Sequence, residues 1–154
     1  MNKFFQITAL IIILTSCAYE PILLNKKYDF YFSNIITSGN NEVNKIIKNS
    51  LLNRGNATSN QKYDLYIEAE KEKEIISSNS KGDPTVYKVN VYVKYKLEKN
   101  GKNIYGDTIT RQATYNNIND KFELLQYEEN IIKNLSQNIS SDILVSITAL
   151  QDDN

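Results

Sequence analysis

Few residues in this chain have side chains suited to chemistry, and their types narrow it quickly. Cys17 is the only cysteine, and the 154 residues include no histidine and no tryptophan. An internal disulfide, a His or Cys metal site and histidine-based acid–base catalysis are therefore excluded. Cys17 closes the tetrapeptide Leu14-Thr15-Ser16-Cys17. An aliphatic residue and two small residues before a cysteine form a lipobox, in which the thiol becomes a diacylglycerol thioether after cleavage. A second set lies further on. Lys88, Lys94 and Lys96 share one parity with Tyr92 between them, a cationic row suited to the phosphates and acyl or sugar stems of an anionic amphiphile. A solvated outer sheet face, where lysines are common, is the more ordinary reading of the same residues. Arg111 shares parity with the apolar Ile109 and Ala113. That pattern implies a bulge or a partly buried guanidinium, fit for bidentate phosphate contact or for an ion pair with a strand carboxylate. Glu68 and Glu70 share a face but form no catalytic pair. No Gly-rich phosphate loop or nucleophile elbow is present, so an enzyme is not expected.

Cys17 needs a leader to be acylated, and the first residues have the form of one. Lys3 gives a positive start, and Phe4 to Leu14 is a mainly apolar stretch of eleven residues. This is the length of a signal-peptide core and too short for a permanent bilayer span. Residues 1–16 are thus expected to be a lipoprotein signal peptide and residues 17–27 a lipidated tether. Two or three acyl chains, at about 0.8 kcal/mol per buried methylene, would hold the mature chain on a membrane. Ala18, rather than Asp, after the cysteine favours the outer membrane. Lys plus Arg equals Asp plus Glu at 18 each. Such a balance argues against a nucleic-acid binder, which would show a basic excess.

The remaining sequence reads as a single α+β domain over residues 28–150, with a frayed tail at 151–154. Tyr28 to Thr37 is aromatic and β-branched, a first strand. Asn40 or Asn41 caps a helix whose apolar face carries Val43, Ile46, Ile47, Ser50 and Leu51, with Gly55 as its stop. Tyr63, Leu65, Ile67 and Ala69 alternate with polar residues, a half-buried strand that can run on through Lys71 to Ile76. Val86 to Leu97 is the clearest strand, and Asn100-Gly101 is a two-residue hairpin signal leading into a fourth strand over about 103–115. One long helix, about 119–150, bears the stripe Leu124, Tyr127, Ile131, Leu135, Ile139, Ile143, Ile147 and Leu150. The order β-α-β-β-β-α predicts a two-layer sandwich, both helices on one face of a four-stranded sheet, with polar and tyrosine side chains on the other.

Taken together, several stretches resemble the LptE family, the outer-membrane lipoprotein of the lipopolysaccharide-assembly machinery. They are the opening Cys17-Ala-Tyr-Glu-Pro21, the helix end Leu51-Leu-Asn-Arg-Gly55, Tyr63-Asp-Leu-Tyr-Ile67, and Val91-Tyr-Val-Lys-Tyr-Lys-Leu97 before Asn100-Gly101-Lys102. Tyr115-Asn116, then Lys121-Phe-Glu-Leu-Leu-Gln-Tyr-Glu128 and the uninterrupted final helix, complete the likeness. Ala18 stands where the family has glycine, and Ile22-Leu23-Leu24 replaces its Pro-Leu-Tyr continuation. The resemblance implies no catalysis and no cofactor. It implies a plug inside the outer-membrane β-barrel LptD, contact with lipopolysaccharide, and Lys88, Tyr92, Lys94, Lys96 and Arg111 as candidates for that contact. An independent periplasmic lipid or solute carrier, or an accessory lipoprotein that activates a cell-wall enzyme, are the other readings.

Overall fold

The computed structural model describes residues 28–152 apart from Asn53, so Cys17, the expected leader and the expected tether lie outside the described residues. The elements run β1 (Tyr31–Gly39), α1 (Asn41–Leu52), β2 (Lys62–Ser78), β3 (Pro84–Lys99), β4 (Lys102–Asn116) and α2 (Lys121–Asp152). The strands lie in the order β1-β2-β3-β4, β1 parallel to β2 and the other two pairs antiparallel. This is the expected β-α-β-β-β-α two-layer sandwich.

Local chemistry sets the element ends. Asn40 caps α1, its Oδ1 accepting the Val43 N–H at 3.1 Å. Asp120 caps α2 in the same way, accepting from Phe122 and Glu123 at 2.8 and 3.1 Å. Asn100 and Gly101 both have positive φ, 52° and 74°, the geometry of the tight hairpin turn that joins β3 to β4. Tyr28 was expected inside β1 but makes only an isolated bridge to Gly55. The ladder to β2 starts at Tyr31, because the Phe30 carbonyl is already taken by Asn56 N–H at 2.8 Å.

The sheet's two faces differ sharply. Towards the helices point Tyr63, Leu65, Ile67 and Ala69 of β2 with Val89, Val91, Val93, Tyr95 and Leu97 of β3, all buried. Against them pack Val43, Ile47 and Leu51 of α1, and Leu135, Ile139, Ile143 and Ile147 of α2. Helix α2 buries more than the predicted stripe: Ile132, Ser136, Ser140 and Leu144 are also inside, while Tyr127 is about half exposed. The reason is that α2 packs against α1 as well as against the sheet, so its buried sector is wider than a single seam. Ser136 and Ser140 stay satisfied by donating to the carbonyls of Ile132 and Ser136 one turn back.

β1 ends at Gly39, opposite Ala69, and β2 continues alone on that side through Ser78. Gly39 has φ +84°, and a Cβ there would lie 2.2 Å from the Ala69 carbonyl oxygen. Only glycine fits. Asn40 N–H then bonds that same oxygen at 2.7 Å, ending the parallel ladder and launching α1.

Candidate functional site

Lys88, Tyr92, Lys94 and Lys96 all emerge from β3 on the sheet face opposite the two described helices, as their parity predicts. The pairing with β2 then decides what faces them. Glu74 lies opposite Lys88, Glu70 opposite Tyr92, Glu68 opposite Lys94 and Tyr66 opposite Lys96. Lys88 is held by Glu74 at 3.0 Å, and the same carboxylate accepts from the Asn90 amide at 2.6 Å. Lys96 bonds Glu98 at 2.9 Å and stands 5.6 Å from the centroid of the Tyr66 ring. The Glu98 hydrogen bond, with its charge, raises the Lys96 pKa above the ordinary lysine value. Lys94 has no ion pair among the described residues.

The face as a whole is zwitterionic. On β2 and β3 it carries Lys62, Lys88, Lys94 and Lys96 beside Asp64, Glu68, Glu70, Glu72, Glu74 and Glu98. β4 adds only the uncharged row Gly106, Thr108, Thr110, Gln112, Thr114 and Asn116. A uniform cationic surface is thus absent; two of the three β3 lysines are already spent on carboxylates. Lys94 is the exception, and it borders two clefts. One, of about 330 Å³, is lined by Glu68, Glu70, Tyr92, Lys94 and Thr108. The other, of about 210 Å³, brings Lys94 together with Ile36, Tyr66 and Lys96. An ammonium between an apolar edge and a tyrosine is the arrangement an anionic amphiphile would use.

Arg111 is not part of this face. It sits in regular register opposite Val91, on the helix side, so no bulge explains its parity. The irregularity of β4 falls instead next to the hairpin, between Leu97 and Glu98. Its partner is a helix carboxylate, not a strand one: Nη2 reaches Asp142 of α2 at 2.5 Å, with the guanidinium side chain about 44% exposed. The sheet separates Arg111 from the lysine row.

Two lysines that read as part of a mixed-charge strand turn inward. Lys71 and Lys73 continue the parity of Ala69, which places them on the helix side beyond the end of β1. Lys71 pairs with Glu42 in the first turn of α1 at 2.6 Å. Lys73 pairs with Glu128 of α2 and lies 4.2 Å above the Tyr87 ring. Tyr115 donates to the same Glu128 oxygen at 2.8 Å, and burial, reinforced by that carboxylate, pushes its pKa well up. The space they enclose with Val89 and Ile132 is about 40 Å³, room for about one water. This cluster is a satisfied seam where the apolar core runs out. The parity of residues 63–73 was a readable signal for it.

The same architecture recurs in solved bacterial lipoproteins. Rare lipoprotein B from Shewanella oneidensis superposes with a TM-score of 0.59 at 16% identity, over 78% of this chain and 97% of that one. The fold is that of rare lipoprotein B. A minor lipoprotein from Acinetobacter baumannii gives 0.58 at 14% identity, over 82% and 95% of the two chains. Lipoprotein B from Nitrosomonas europaea gives 0.60 at 14%, over 84% and 91%. By sequence the chain matches no family model and no curated protein.

Proposed function

We propose that this chain is an LptE-type lipoprotein. It is anchored through acyl chains on Cys17 in the outer membrane, faces the periplasm, and acts as a plug and assembly partner for the barrel LptD during lipopolysaccharide insertion. The observation that carries the reading is a fold shared with rare lipoprotein B over nearly that protein's whole length, behind a lipobox cysteine. The residues at hand suit binding and not catalysis. Lys71, Lys73, Lys88 and Arg111 are engaged in ion pairs across strands and helices, and a narrow two-layer body with a polar outer sheet face suits a polar barrel lumen.

Lipopolysaccharide contact is assigned to the open face around Lys94, with Lys88, Tyr92 and Lys96 as its flanks. Arg111, tied to Asp142 on the other side, supports the fold and not this contact. A pull-down from detergent-solubilised membranes should recover one large outer-membrane β-barrel in a one-to-one complex. Recovery of the chain alone with a bound lipid, or with a soluble cell-wall synthase, would replace the proposal by a carrier or an enzyme activator. Reversing Lys94 and Lys96 to Glu should weaken lipopolysaccharide binding with the fold intact, more at low salt than at physiological salt, where exposed charges are screened beyond about 8 Å. Unchanged binding at low salt would reduce the lysine row to a solvated face.

A further inference from the structure

β4 is an edge strand of 15 residues with no strand on its outer side among the described residues. Long free edges are normally blunted by proline, by charged side chains, inward-pointing ones included, or by bulges. Along 106–116 β4 has no proline and no bulge, and its only charges point to the helix side. Its open face is the uncharged row from Gly106 to Asn116, and its ladder with β3 is regular from Tyr105 onward. The two charges in that stretch, Asp107 and Arg111, lie on the helix side, symmetrically about Ile109.

That symmetry is what an antiparallel strand pair of two identical chains requires. With the helix layers of both copies on the same side, a two-fold axis through Ile109 sets Asp107 opposite Arg111 of the second copy, and Arg111 opposite Asp107. Thr108 then faces Thr110 twice, Gly106 faces Gln112 and Tyr105 faces Ala113. Opposite charges and threonine pairs across strands are favourable, and no like charges meet. Moving the axis by one residue pairs Asp107 or Arg111, according to the direction, with Ile109 and the other with Tyr105 or Ala113 instead. Asp107 has no ion-pair partner among the described residues, so the second copy would supply its missing cation. Arg111 already holds Asp142 and would bridge the two carboxylates with its remaining donors.

We infer that two copies of this chain pair through β4 about Ile109, forming one continuous eight-stranded sheet. The inference does not depend on the barrel proposal; the pair would be a form of the chain outside any barrel. The test uses the full-length protein in detergent with one new cysteine at a time, the parent with only Cys17 as control. Under mild oxidation Ile109→Cys should give a disulfide-linked dimer, because the residue faces itself across the axis. Thr114→Cys faces Ile104 of the other copy and should stay uncrosslinked. In sedimentation, Asp107→Arg should weaken dimerisation at least about tenfold, since the axis applies the like-charge pair twice. The exchange Asp107→Arg with Arg111→Asp should recover part of it. A parent chain that remains monomeric at ~100 μM, where even a ~10 μM dimer would be mostly formed, would overturn the inference. So would equal crosslinking at 109 and 114, or an Asp107→Arg variant that dimerises like the parent.

Discussion

Replacing Gly39 by alanine tests the joint on which the sheet's shape depends. Two costs add there. The backbone has φ +84°, where a side chain costs roughly 1–2 kcal/mol. The new Cβ would also lie 2.2 Å from the Ala69 carbonyl oxygen, a backbone atom in the central ladder that cannot swing aside. Relief requires moving the end of β1, which stretches the 2.7 Å Asn40-to-Ala69 bond and forfeits about 0.5–1.5 kcal/mol. Together these cost about 1.5–3.5 kcal/mol, offset by the ~0.4–1 kcal/mol that alanine gains by restricting the unfolded chain. Gly82→Ala is the matched control: its φ is +86°, yet nothing lies within 4 Å of its Cβ. Only the backbone cost applies, with the same offset from the unfolded chain. Urea unfolding followed by circular dichroism should show unchanged slopes and about 1 kcal/mol between the two variants. Equal destabilisation, within about 0.5 kcal/mol, would refute the close approach of Gly39 to β2. It would also refute the ladder end that leaves Glu70 to Ser78 without a neighbour on that side.

Ile139, fully buried between α2 and β3, should cost ~2–5 kcal/mol on truncation to Ala in the same assay; a smaller loss would mean α2 does not seat there. Burial pushes the Tyr95 phenol from the ordinary 10.0 up to about 12. The folded state thus favours the protonated form, and stability present below pH 10 should be lost as pH rises towards 12, a loss that Tyr95→Phe should blunt in alkaline unfolding curves. Cys17→Ser should abolish acylation and shift the protein out of the membrane-anchored fraction; an unacylated Cys17 in the mass spectrum of the parent would remove the anchor reading.

The elements follow from local signals along the chain. Period-two alternation marked β2 and β3, Asn40 capped α1, Asn100-Gly101 forced the tight turn, and the unbroken apolar stripe made α2. These are local signals, carried within a few residues of one another, and a two-layer α+β body follows from their order. Tertiary structure alone decided what each polar residue meets. Lys88, Lys94 and Lys96 were correctly placed on one face, but the antiparallel register with β2 set Glu74 against Lys88, while Glu98, two residues along β3, took Lys96, turning a cationic row into a mixed one with Lys94 left over. The parity of Arg111 was visible while its partner, Asp142, lies 31 residues away on a helix. The parity of Lys71 and Lys73 was visible, but their partners, Glu42 of α1 and Glu128 of α2, come from distant segments. Alternation tells which side of a strand a residue occupies, whereas its charge environment depends on register between distant segments. That register is selected by burying the whole apolar face at once.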